Sequence, residues 1–417
     1  MHIASRLASV QPSASAWVSQ AAKAARARGE DVIDLGLGEP DFDTPAHIVE
    51  AAHQAALAGD TRYPPTEGTI ALREAIIAKF DQENGLVYGL DEVIVCNGAK
   101  QVIFDALMAT LEPGDEVVLA APYFGQYKDM VAVLGGTPVV IRCRADDGFL
   151  LTAQALEKAI TPRTRWLFLN QPSNPAGAVY TRADLQALGS VLERHPHVQV
   201  LSDEIYEHLR FDARQFSSFA AACPALNERT LTVNGVSKAY AMTGWRIGYA
   251  GGPKALIGAM IKVQSQISSG ACSIAQAAAA AALRGPQDHV PRFRDAFERR
   301  RDLVLAAIAK IDGLTLYPPG GAFYAFIGCA ALIGAIRPDG SVIRDDVDFT
   351  AFLLQDAGIA AVPGSAYELS PFFRISTAAS DSVLATAMTR LAASVATLSL
   401  TADDPASTDI VNATRKT

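Results

Sequence analysis

Cysteine is scarce in this chain and is never spaced as metal sites space it. Five occur, at Cys96, Cys143, Cys223, Cys272 and Cys329, with no CxxC among them. An odd, scattered set fits reduced thiols in a cytoplasmic protein better than disulfides or zinc ligands. Positive charge is not in surplus either. The net charge is −8, so no basic face for nucleic acid is expected. No uncharged apolar run reaches membrane-spanning length; the longest candidate, Ala271–Leu283, is rich in alanine and contains Gln276. The N-terminus lacks the charged-then-apolar order of a secretory signal. No acidic or cysteine cluster completes a metal site at His195-Pro196-His197, which reads as a solvated loop, so no metal is expected. Nucleotide signatures are missing as well. No Walker loop occurs, and Gly36-Leu37-Gly38 runs into Glu39-Pro40 where a dinucleotide fingerprint needs a helix and a third glycine.

What is present is an ordinary globular composition, half hydrophobic and 19% charged, over 417 residues. That length predicts two domains. From Val93 onward, apolar runs alternate with helical periodicity. Strands are expected at Val93–Cys96, Glu116–Ala120, Val139–Ile141, Trp166–Leu169, Val198–Leu201 and Arg229–Val233, the last ended by Asn234-Gly235 as a turn. The pattern predicts an α/β fold: a mainly parallel sheet flanked by helices. Gly285-Pro286 stops a helix and reads as a domain joint, and the looser order beyond it predicts a smaller α+β domain. Residues 401–417 are polar, lack periodicity and are expected to be disordered.

Chemistry concentrates between Thr232 and Gly252. Lys238 sits among small and aromatic residues, and Arg246 follows eight residues later between Trp245 and Ile247. A lysine held among apolar groups loses hydration, so its amine deprotonates more easily and can attack an aldehyde. A nearby arginine suits a phosphate. An aldehyde and a phosphate together suggest pyridoxal phosphate. Taken alone, a solvated lysine and a surface arginine explain the pair better, because isolated motifs have many false positives.

Other candidates lie where strands end. Gly98-Ala99-Lys100 follows a strand and opens a helix, a ready anion site. Asp203 closes a buried strand; it could cap a helix, or hold a pyridine nitrogen protonated. Asn174 could be a turn former and Tyr206 a core aromatic. Arg374 lies in an apolar strand, and a buried arginine needs an anionic partner such as a substrate carboxylate.

The stretches SNPAG around Asn174, SDEIYEH around Asp203 and VSKAYAMTGWRIGY around Lys238, in that order, resemble the class I aminotransferases of fold type I. GLGEPDFDTP, NGAKQ and AMTGWRIGYAGGP are most similar to the bacterial aspartate aminotransferase branch. The resemblance implies pyridoxal 5′-phosphate as cofactor and transfer of an amino group from an L-amino acid, aspartate or another dicarboxylate, to a 2-oxo acid such as 2-oxoglutarate. It implies that Lys238 carries the cofactor as a Schiff base and moves the substrate proton. Asp203 would pair with the ring nitrogen, Tyr206 and Asn174 with the ring oxygen. Arg246 and the backbone of Gly98, Ala99 and Lys100 would hold the phosphate. Arg374, Asn174 and the Gly38 backbone would hold the substrate carboxylate, and the Lys100 side chain a distal carboxylate. Phe124 stands where that branch has a stacking tryptophan, which leaves prephenate or aromatic amino acids as an alternative. A lyase on the same fold is the other. Tyr63 looks like the residue that family homodimers lend to the neighbouring site. The expected organisation is an N-terminal segment, 1–45, packing with the small domain; a large cofactor domain, 46–285; and a small domain, 286–400.

Overall fold

The computed structural model describes residues 3–8, 10 and 12–399, so the expected disorder of 401–417 falls outside the described residues. After a two-residue strand, β1 (Ile33–Asp34), the chain lays down β2 (Val93–Cys96), β3 (Glu116–Ala121), β4 (Thr137–Arg142), β5 (Thr164–Asn170), β6 (Gln199–Asp203), β7 (Thr230–Gly235) and β8 (Gly248–Gly251). These last seven form one sheet in the order β2-β8-β7-β6-β5-β3-β4. Only β8 runs against its neighbours, β2 and β7.

Alternation along β5 sets the layers. Trp166 and Phe168 face one side, against Val102 and Ile103 of helix Ala99–Thr110 and Met260 of helix Lys254–Ile267. Leu167 and Leu169 face the other, against Leu185, Leu188 and Leu192 of helix Arg182–Glu193. Burial on both faces explains why the strand reads as one apolar run. Local signals place the helices. Thr181 accepts from the Asp184 N–H while the Asp184 carboxylate accepts from the Thr181 N–H, a capping box that starts helix Arg182–Glu193.

One expectation is corrected here. Asn234-Gly235 does not turn the chain; both residues lie within β7, paired with Tyr249 and Gly248 of β8. The Asn234 side chain serves its own strand by accepting from the Gly235 N–H at 2.8 Å. Glycine is there because the Ile247 carbonyl passes close by. The partner strand β8, Gly-Tyr-Ala-Gly, is half glycine and carries little strand signal of its own.

A second, antiparallel sheet has the order β12-β13-β10-β9, built from β9 (Thr315–Leu316), β10 (Tyr324–Gly328), β12 (Val362–Pro363) and β13 (Phe372–Ser376). The intervening β11 (Ile359–Ala360) pairs in parallel with β1. Leu35 enters the core of this region beside Val304 of helix His289–Ile308, Phe352 of helix Asp346–Asp356 and Leu391 of helix Asp381–Val395. The architecture is therefore α/β, with a large mixed sheet flanked by helices and a smaller sheet unit. Among the described residues no helix is long and apolar enough to cross a membrane.

Candidate active site

In a mainly parallel sheet the loops at the strand carboxyl ends converge. Here the ends of β5, β6 and β7 meet the N-terminal loop and β13 around a cavity of about 340 Å³. Lys238, Asp203, Tyr206, Asn174, Arg246, Arg374, Phe124, Gly38, Ala99 and Lys100 all line it.

Lys238 Nζ donates to the Gly38 carbonyl at 2.7 Å and lies 5.6 Å from the centre of the Tyr206 ring. Burial lowers its pKa to about 8; Arg374 and Arg246 push the same way, while Glu39 and Asp203 oppose. The amine is therefore far closer to its nucleophilic form at neutral pH than an exposed lysine. Asp203 is buried at the end of β6, where desolvation lifts its carboxyl to about 6. Two donors hold that rise down: the Tyr127 hydroxyl at 2.5 Å and the Ile205 N–H at 3.3 Å.

Arg246 takes a left-handed backbone, φ 59°, that non-glycine residues rarely adopt. The conformation aims its guanidinium at the carbonyls of Thr243, 2.9 Å, and Asn97, 3.2 Å, beside the start of helix Ala99–Thr110. Gly98 is the residue before that helix, at φ 87°, and gives it no capping side chain. A Cβ on Gly98 would collide with the Arg246 guanidinium. The result is a cradle of an uncapped helix N-terminus and a fixed cation, which is the donor set a phosphate needs.

Arg374, 2% exposed, comes in from β13. Its guanidinium donates to Asn174 Oδ1 at 3.0 Å, to Ser15 Oγ at 3.3 Å and to the Gly36 carbonyl, and it lies 4.5 Å from the centre of the Tyr324 ring. Its Nε has no partner, and no carboxylate pairs with it among the described residues. Lys100 lies over the Phe124 ring at 5.5 Å, its pKa lowered by burial and by Arg246. Tyr63 stands apart. It is 97% exposed and does not line this chain's cavity.

Several residues of the site were not singled out in the sequence. Tyr127, one helical turn past Phe124, reads as core, and only its contact with Asp203 gives it a role. Tyr324 bonds Tyr206, hydroxyl to hydroxyl, at 2.8 Å. Its one signal was the Gly320-Gly321 pair just before it, which lets the backbone come close. Glu39, hydrogen-bonded to Thr243, and Asn170 also line the cavity.

Comparison with known proteins agrees with this geometry. Residues 30–391 match the family "Aminotransferase class I and II". An aspartate aminotransferase of Rhizobium meliloti is 54% identical over 396 residues, covering 95% of this chain and 97% of that protein. An aspartate/prephenate aminotransferase of Cereibacter sphaeroides is 51% identical, covering 94% and 98%. The crystal structure of the aspartate aminotransferase from Rhizobium meliloti superposes with a TM-score of 0.93 at 53% identity, covering 96% of this chain and all of that one.

Proposed function

The chain belongs to the class I and II aminotransferases, and from that premise we propose that it moves the amino group of L-aspartate to a 2-oxo acid such as 2-oxoglutarate, with pyridoxal 5′-phosphate as cofactor. The residues present fit that cofactor. The Gly98–Arg246 cradle suits its phosphate, and the cavity places a lysine of lowered pKa and a buried carboxylate beside it. When bound, pyridoxal phosphate supplies a ring that takes up the electron pair left as the substrate α-hydrogen departs.

The protein's own groups do the rest in this reading. Lys238 would hold the cofactor through its aldehyde, and its amine, when free, would take and return the proton at the substrate α-carbon. Asp203, kept largely anionic at neutral pH by Tyr127 and the Ile205 N–H, holds a proton on the ring nitrogen. Tyr206 and Asn174 would hold the ring oxygen, and Phe124 would pack against the ring. Arg246 and the first N–H groups of helix Ala99–Thr110 hold the phosphate. Tyr63 of a second copy completes that site in a homodimer. Five free thiols favour a reducing, cytoplasmic setting.

One observation carries the reading of a carboxylate-bearing amino-acid substrate. Arg374 is a buried cation that touches only neutral oxygens, with one N–H free, in the cavity that Lys238 lines. A buried guanidinium of this kind is matched by a carboxylate held in two bonds. Adding single amino acids to loaded enzyme and following cofactor absorbance tests the reading. Aspartate should discharge it fastest and yield oxaloacetate. Faster reaction with phenylalanine, or ammonia released without an acceptor, would overturn it.

A further inference from the structure

Asn170 ends β5 and is paired in register with Asp203, the end of β6. Both ends of its side-chain amide are engaged. Nδ2 donates to the Asp203 carbonyl at 3.0 Å, and Oδ1 accepts the Asn174 N–H at 2.7 Å. This orientation is enforced, because flipping the amide would set NH₂ against N–H and oxygen against oxygen. Asn174 Oδ1 then accepts from Arg374 at 3.0 Å. One planar group thus connects the strand end that carries Asp203 to the guanidinium that faces the cavity.

We infer that Asn170 is a positioning residue, acting through Asn174 to fix the guanidinium of Arg374 for the substrate carboxylate. The inference rests on the proposed function. Its two contacts are not equivalent. The Asp203 carbonyl has a second donor, the Gln171 N–H at 3.0 Å, so Asp203 keeps its place without Asn170. The Asn174 N–H has no other acceptor among the described residues. Loss of the amide therefore falls on the Arg374 side of the cavity, and carboxylate binding weakens more than the proton chemistry does.

The test titrates succinate, a dicarboxylate with no amino group, into cofactor-loaded wild type, Asn170→Ala and the near-isosteric Asn170→Leu, reading cofactor absorbance. Succinate Kd and aspartate KM are expected to rise about tenfold, the scale of one hydrogen bond, with kcat within about threefold. In an Asn174→Ala background the Asn170→Ala change should add less than about twofold, since its route to Arg374 is already cut. A purely structural role would lower Tm and leave succinate Kd per loaded molecule unchanged. Succinate Kd within twofold of wild type in whichever variant folds overturns the inference alone. Wild type that binds neither pyridoxal phosphate nor succinate overturns the functional reading with it.

Discussion

The hydroxyls of Tyr206 and Tyr324 lie 2.8 Å apart, joining the turn after β6 to the first residue of β10. Burial raises both phenols, Tyr324 to about 12 and Tyr206 well above its ordinary value, so both keep their protons at neutral pH. One donates and the other accepts. Because Tyr324 also underlies the Arg374 guanidinium and Tyr206 lies under the Lys238 amine, the pair links the Lys238 side of the cavity to the Arg374 side. Tyr324→Phe should lower kcat/KM for aspartate about 2- to 10-fold, the net worth of one hydrogen bond. A double-mutant cycle with Tyr206→Phe should give a coupling of about 0.5–1.5 kcal/mol. Strictly additive effects would disconnect the two residues.

Lys100 reaches the cavity beside Phe124 from the first turn of a helix, where the dipole disfavours a cation. In the proposed reading a distal substrate carboxylate would offset that cost. Lys100→Ala should reduce kcat/KM for aspartate roughly 10- to 150-fold, the range of a charge-assisted contact of about 1.5–3 kcal/mol. Alanine and phenylalanine should change much less. Equal losses on all three would assign Lys100 to the cofactor.

Tyr63 is almost wholly exposed and outside its own chain's cavity. If it serves the neighbouring site of an isologous dimer, subunit exchange between Lys238→Ala and Tyr63→Phe puts both lesions in one site and leaves the other intact. Activity should recover. No recovery after verified exchange, with Tyr63→Phe impaired on its own, would exclude sharing.

These residues differ in how openly the sequence announces them. Lys238, Asp203 and Arg374 stand out because a charge inside an apolar run is costly without a partner, so its presence is informative before any fold is known. Tyr127, Tyr324 and Asn170 carry no such cost. Each reads as core or turn, and its role comes from a contact across many residues, as Tyr127 meets Asp203. The strands of the large sheet were legible where both faces are buried, as in β5. Asn234-Gly235 was misread because its pairing depends on β8, which comes from farther along the chain.

Beside β7 lies a buried polar group that the same logic makes testable. Glu207 accepts from Asn84 at 2.6 Å, from Asn234 at 2.8 Å and from Lys79. Burial pushes its carboxyl up, but the Lys79 and His208 charges and the hydrogen bonds from Lys79 and Asn84 outweigh burial and bring it to about 2, below the ordinary 4.5. With the folded value depressed, the stabilisation is complete above about pH 4.5 and is lost as pH falls toward 2. Glu207→Gln leaves Lys79 buried without its counter-charge and should cost about 3–5 kcal/mol near pH 7. Urea melts should show that gap narrowing by pH 3. A gap that does not change with pH would contradict the ion pair.

The proposed function depends on Lys238 being the group that bonds the cofactor. The most direct measurement is borohydride reduction of the loaded protein, followed by peptide mapping and an assay of Lys238→Ala. The account predicts a pyridoxyl-phosphate mass on the peptide containing Lys238 and on no other lysine. It also predicts that the variant still binds cofactor through Arg246 and Asp203 but does not turn over. A label on a different lysine, or a Lys238→Ala variant with full transaminase activity, would contradict it.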